Sequence, residues 1–204
     1  TGQLRILLGC ESIPELLSRP KGLDERTRKQ LQLIGELRHY AKRQLGLEVA
    51  ANYTCFYDTG GDPVSWNVSA SPPDRFEPYR WRYPIVGTLP YKGFFDSRLA
   101  RTERDSLRAR GYDVLMRSVS AYSTLGYLSD PVLTTMIPYK EEALADLIFH
   151  ELTHATVFVD GHTDFNESLA SFVGKTGSLQ FITDRYGDDS DQVNETVSRR
   201  RDAS

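Results

Sequence analysis

His150-Glu151-Leu152-Thr153-His154 lies late in residues 140–159, a run that reads as one helix. Residues four apart share a helix face, so His150 and His154 can grip one metal ion together, with Glu151 beside them. Two imidazoles and an adjacent carboxylate able to take a proton from water form the H-E-x-x-H arrangement of metal-assisted hydrolysis. Around them Leu144, Leu147, Ile148, Leu152, Ala155 and Phe158 spread apolar surface nearly all round, which predicts a helix in the middle of a domain. The polar stripe is Glu142, Asp146, Thr153, Thr156 and Asp160. Burying two histidines and a glutamate in such a helix costs on the order of several kcal/mol unless something compensates. A divalent cation would compensate. The alternative is a pair of core histidines bonded to backbone or carboxylate partners.

Zinc catalysis needs three protein ligands and one open position. Four candidates follow His154: Asp160, His162, Asp164 and Glu167. Asp160 sits where the longer H-E-x-x-H-x-x-G-x-x-H pattern places its last ligand, but that pattern turns on a glycine and this chain has Val157 there. His162, next to Gly161, reads as an exposed loop residue. A second helix is predicted from Asp164 to about Gly174 or further, with Glu167 in its first turn. Glu167 can then aim at the histidine pair, or reach back to a cap amide as in a capping box; the local sequence supports both.

Outward from the motif, the 204 residues set the expectation of a single α+β domain. Residues 1–50 would hold N-terminal helices, residues 51–130 a sheet region, and residues 131–204 the metal-site helices. Residues 11–18 and 24–45 read as helices, the second carrying Leu31, Ile34, Leu37, Ala41 and Leu45 at helical spacing before Gly46. Strands are predicted at 53–57, 64–69, 81–86 and 112–119, a loop at 88–95, and an extended segment or turn at 121–128. Asp96 or Ser97 caps a helix running to Arg110, whose interleaved Arg, Glu and Asp read as a solvated face. The acidic cluster Asp188, Asp189, Asp191 and Glu195 lacks calcium-loop register and reads as a solvated terminal stretch.

A net charge of −3 and a pI near 5.8 argue against nucleic-acid binding. Cys10 and Cys55 form no metal-like spacing and no disulfide framework; a single bridge between them is possible but not indicated, so cysteine usage leaves the compartment open. No segment is long and apolar enough to span a bilayer. The absence of an initiating Met and the ending Ser-Arg-Arg-Arg-Asp-Ala-Ser suggest a piece of a longer chain.

His150-Glu-Leu-Thr-His154 followed by Asn166-Glu167 resembles the zincins whose third ligand is a glutamate on a second helix, such as thermolysin and the large zinc aminopeptidases. The stretch from Asn166 to Phe172 resembles the segment carrying that ligand, although only twelve residues separate it from His154, fewer than in those enzymes. A closer resemblance is to the bacterial family of predicted aminopeptidases. It rests on residues 148–154, Phe165-Asn166-Glu167-Ser168, residues 121–126, Pro84-Ile85-Val86-Gly87 and residues 90–96.

The resemblance implies a zincin-like domain, with a small mixed sheet packed against the motif helix and a second, ligand-bearing helix. It implies Zn²⁺ on His150, His154 and Glu167, Glu151 as general base, and a peptide substrate. Residues 119–126 resemble the extended edge that pairs with substrate backbone. Ala121 and Ser123 would then touch the substrate and Tyr122 would donate to the oxyanion, with Tyr127 as alternate. No residue stands out to hold a substrate amine; Asp164, Glu77 and Asp96 are available. The acid that thermolysin-like enzymes use to orient a histidine is replaced by Ser171, leaving Asp164 or Asp146 for that task. Family members often carry a lipoprotein-type or membrane-anchoring signal, which implies the bacterial envelope, periplasmic or membrane-anchored through a missing N-terminal segment. The competing expectation is an envelope-associated zinc-binding protein on the same fold with little turnover.

Overall fold

The computed structural model describes residues 6, 8–60, 63, 65–83, 87–119 and 129–202. In chain order the helices are α1 (Ile13–Ser18), α2 (Glu25–Arg43), α3 (Ser97–Ala109), α4 (Glu141–Thr156), α5 (Thr163–Tyr186) and α6 (Asp191–Asp202). The strands are β1 (Glu11–Ser12), β2 (Cys55–Tyr57), β3 (Ser65–Ser71), β4 (Trp81–Tyr83), β5 (Gly87–Leu89), β6 (Lys92–Phe94), β7 (Asp113–Val119) and β8 (Val132–Leu133). This is the mixed α+β composition expected. The chain divides into two compact units.

The first unit comprises Thr1–Glu11, Phe56–Tyr122 and Pro131–Met136. Its main sheet has the order β6-β3-β7 and is antiparallel, with Val68 opposite Lys92 on one side and Met116 on the other. Helix α3 covers it, so that Val68, Ala70, Trp81, Ala100 and Leu107 form a core. Asp96 caps α3 by accepting from the Arg98 amide, and Gly111, at φ 84°, turns the chain into β7. Two sequence expectations change here. Residues 88–95 are not merely a loop: β5 pairs with β4, and β6 adds to β3. Glu103, assigned to a solvated face, instead accepts from Trp81 Nε1 at 2.8 Å and Lys92 Nζ at 3.0 Å. Burial pushes its carboxyl up, but these two donors outweigh burial and hold it below the usual range. Both partners lie on strands remote in sequence, so local charge pattern does not reveal them.

The second unit comprises Ser12–Cys55, Ser123–Asp130 and Ile137–Ser204. Asp24 caps α2, accepting from the Thr27 amide at 3.0 Å. Leu31, Ile34, Leu37 and Ala41 form its fully buried stripe, as their spacing predicts. They pack with the apolar body of α4, where Leu144, Ala145, Ile148, Phe149 and Leu152 are buried. Tyr40 and Phe181 meet edge to face at 5.1 Å, with Phe149 stacked at 6.0 Å from Tyr40.

Helices α4 and α5 approach closely because α5 presents glycine at the contact. A Cβ at Gly177 would lie 2.7 Å from Leu45 Cδ1 and 3.1 Å from Phe149 Cδ2. Helix α4 ends at Thr156 rather than near Val159, since Val157 is extended (φ −133°, ψ 115°); Asp160 therefore leaves the helical stripe. Much of the acidic stretch after Gly187 is helical, and Glu195 pairs with Lys140 at 2.6 Å. Arg199 and Arg200 of the same helix pair with Glu142. Cys10 and Cys55 are both disulfide-bonded. No helix among the described residues is long and apolar enough to cross a membrane.

Candidate metal centre

The two histidines of the motif helix point their Nε2 atoms at each other across 3.2 Å. Glu167, entering from the first turns of α5, sets one carboxylate oxygen 3.6 Å from His150 Nε2 and the other 3.5 Å from His154 Nε2. Zinc–nitrogen bonds of about 2.0–2.1 Å at tetrahedral angles place two ligand nitrogens about 3.3 Å apart. The spacing of the three side chains therefore suits a single small divalent ion. Among the described residues, this is the one group of three His, Cys, Asp or Glu side chains whose donor atoms converge in this way. Asp160 and His162 do not join it; His162 is the N-cap residue of α5.

The capping-box alternative for Glu167 does not apply, because α5 starts at Thr163 with His162 as its N-cap, which puts Glu167 fifth in the helix rather than third. Its carboxylate faces imidazoles instead, and its contact with His150 holds it below the usual carboxylate range. The same contact raises His150, against burial, while burial lowers His154, only 4% exposed. His154 Nδ1 is buried without a hydrogen-bond partner among the described residues. An imidazole whose Nε2 holds a metal carries its proton on that second nitrogen.

Asn166, which pattern reading treats only as part of a segment, precedes Glu167 in α5. It is 2% exposed, and its side chain both accepts from the Val159 amide at 2.9 Å and donates to the Val159 carbonyl at 2.8 Å. These two hydrogen bonds, with the His162 amide also donating to the Val159 carbonyl, tie off residues 159–166 at the start of the helix that carries Glu167. Asn166→Ala is expected to destabilise the protein by about 1–3 kcal/mol in urea titration, because it removes two part-buried hydrogen bonds and leaves the Val159 amide without its side-chain acceptor. It should weaken metal affinity in parallel; unchanged affinity would mean that Glu167 is placed by other contacts.

Tyr53 is a second neighbour that the sequence did not single out. It is buried and left-handed (φ 57°), an outlier for a bulky residue. Its amide donates to the Asp130 carbonyl at 2.6 Å, and Arg38 Nε donates to the Asn52 carbonyl at 2.6 Å within the same turn. Burial first, then the charges of Glu151 and Asp130, push its phenol well up. Tyr53 thus stays a neutral hydroxyl within electrostatic reach of Glu151.

Ala121, Tyr122, Ser123 and the alternate Tyr127 lie outside the described residues. Of the acids available for a substrate amine, Asp96 is committed to capping α3 and Arg98, and Glu77 is exposed 3.9 Å from Arg75. Asp164 stands in the first turn of α5.

This α+β protein thus carries a helix-borne group of His150, His154 and Glu167 that could hold a metal ion, next to Glu151. Compared with known families, residues 1–204 match the one described as "putative aminopeptidase", and the chain belongs to that family. No curated protein and no solved structure matches it.

Proposed function

We propose that this chain is a zinc-dependent peptidase of zincin-like fold, and within that class an aminopeptidase. The observation that carries the reading is the convergence of His150, His154 and Glu167 donor atoms at 3.2–3.6 Å beside Glu151. His150 and His154 would supply nitrogen ligands and Glu167 an oxygen. When bound, zinc supplies Lewis-acid polarisation of the scissile carbonyl and lets water act as nucleophile near neutral pH. Glu151 accepts a proton from the attacking water and delivers it to the departing amine nitrogen. Tyr122 donates to the developing oxyanion, and Ala121 and Ser123 pair with the substrate backbone. These last three roles follow from the resemblance of residues 119–126 to a substrate-pairing edge.

The proposed location is the bacterial envelope, membrane-anchored or periplasmic. The disulfide-bonded Cys10 and Cys55 favour an oxidising compartment. The competing role, zinc binding without turnover, is disfavoured by the presence of Glu151, which such a role does not need.

Metal analysis of the purified chain is expected to find close to one zinc per molecule, and aminoacyl amides to be hydrolysed. Absence of zinc that cannot be restored would sink the peptidase reading. Cleavage of N-terminally blocked peptides would exclude a strict aminopeptidase.

A further inference from the structure

Helix α2 carries a cavity of about 520 Å³ on the side away from its buried stripe. Gly35, His39 and Arg43 recur there at one-turn spacing and line it. Leu17 from α1 and Phe181 from α5 complete the wall with Tyr40, and the lining is almost wholly apolar. None of these residues is a ligand of the candidate metal centre, so this is a separate site. Gly35 lies in the middle of α2, where glycine costs about 1 kcal/mol relative to alanine. A Cβ there would meet nothing within 4 Å, and its φ is not positive. Gly177 is demanded by its neighbours; Gly35 is not. Its effect is to keep the floor of the cavity open.

The acids beside the cavity are already matched. Glu36 pairs with Arg185, and Asp184 accepts from the Tyr40 hydroxyl. Arg43 and His39 have no side-chain hydrogen bond or ion pair among the described residues. An apolar interior thus meets an unmatched guanidinium at its edge. We propose that this cavity binds a small organic acid, its apolar body over Gly35 against Tyr40, Phe181 and Leu17, and its carboxylate at Arg43. Clefts of roughly 300–1,000 Å³ with mostly apolar walls and a few orienting polar groups are the usual shape of small-molecule sites. Gly35 and Arg43 are separated by an axial rise of about 12 Å, which suits an acyl chain of medium length. The proposal stands independently of the peptidase reading.

Octanoate is the probe, titrated into the whole chain and followed by proton–nitrogen NMR. It should saturate, with shifts concentrated at residues 35–43 and around Phe181. Arg43→Gln should weaken octanoate by about 2–5-fold, the worth of an exposed ion pair, and leave octanol binding unchanged. Gly35→Leu fills the floor and should abolish binding of both, while the melting temperature holds or rises because leucine favours helix over glycine. That combination separates a filled cavity from a damaged fold. Octanoate that fails to saturate at millimolar concentration, or that binds Gly35→Leu as it binds the wild type, would overturn the proposal. Equal losses of octanoate and octanol on Arg43→Gln would refute the carboxylate's place at Arg43 and with it an acid as the ligand. Should Gly35→Leu not fold, the wild type decides: octanoate methylenes should show nuclear Overhauser contacts to the Tyr40 and Phe181 rings, and their absence refutes the site.

Discussion

Glu151→Gln is expected to retain zinc at the wild-type level and to lose about 10²–10⁴-fold in turnover. General acid–base catalysis typically contributes that much, and Gln keeps the shape while removing the basic oxygen. The ligands are untouched: His150, His154 and Glu167 converge without Glu151. Metal content and kcat should therefore separate. Equal rates for variant and wild type would show that any observed hydrolysis does not use Glu151 and would favour the binding-protein role.

Zinc should raise the melting temperature more at pH 8 than at pH 5.5. Metal binding needs neutral imidazoles, so protons compete for the site. His150 is raised above its ordinary 6.5 by Glu167, so this competition begins at higher pH than for a free histidine. The metal-free protein behaves in the opposite sense. A raised His150 contributes stability that is fully present below its unfolded value and is lost as pH climbs through the folded one. A lowered Glu167 contributes stability present above its unfolded value and lost as pH falls through the folded one. The His150–Glu167 contact thus stabilises the metal-free form most between those limits, and zinc takes over above them. Differential scanning across this range, with Glu167→Ala as control, checks the sign. A zinc effect independent of pH would remove the imidazoles from the ligand set.

The helices that carry the site were legible because their signals are local. Leu31, Ile34, Leu37 and Ala41 repeat at one face, and Asp24 and Asp96 sit where caps belong. That His150 and His154 share one helix face followed from helical spacing alone. Glu167 was legible only as one of two alternatives, because whether its carboxylate turns back to a cap or across to α4 depends on how two helices pack. What escaped was non-local. Glu103 finds Trp81 and Lys92 on separate strands, and β6 owes its existence to pairing with β3. Tyr53 and Gly177 matter through what lies beside them in space, and neither has a motif.

The clamp between Asn166 and the Val159 backbone also bears on how the chain can vary. It closes a short ring at its neck, and residues 160–162 hang outside that neck. Length added there is absorbed by the ring and does not reach Glu167. The apex is thus a natural insertion point, whereas a single residue gained between His154 and Val159, or between Asn166 and Glu167, shifts a ligand out of register.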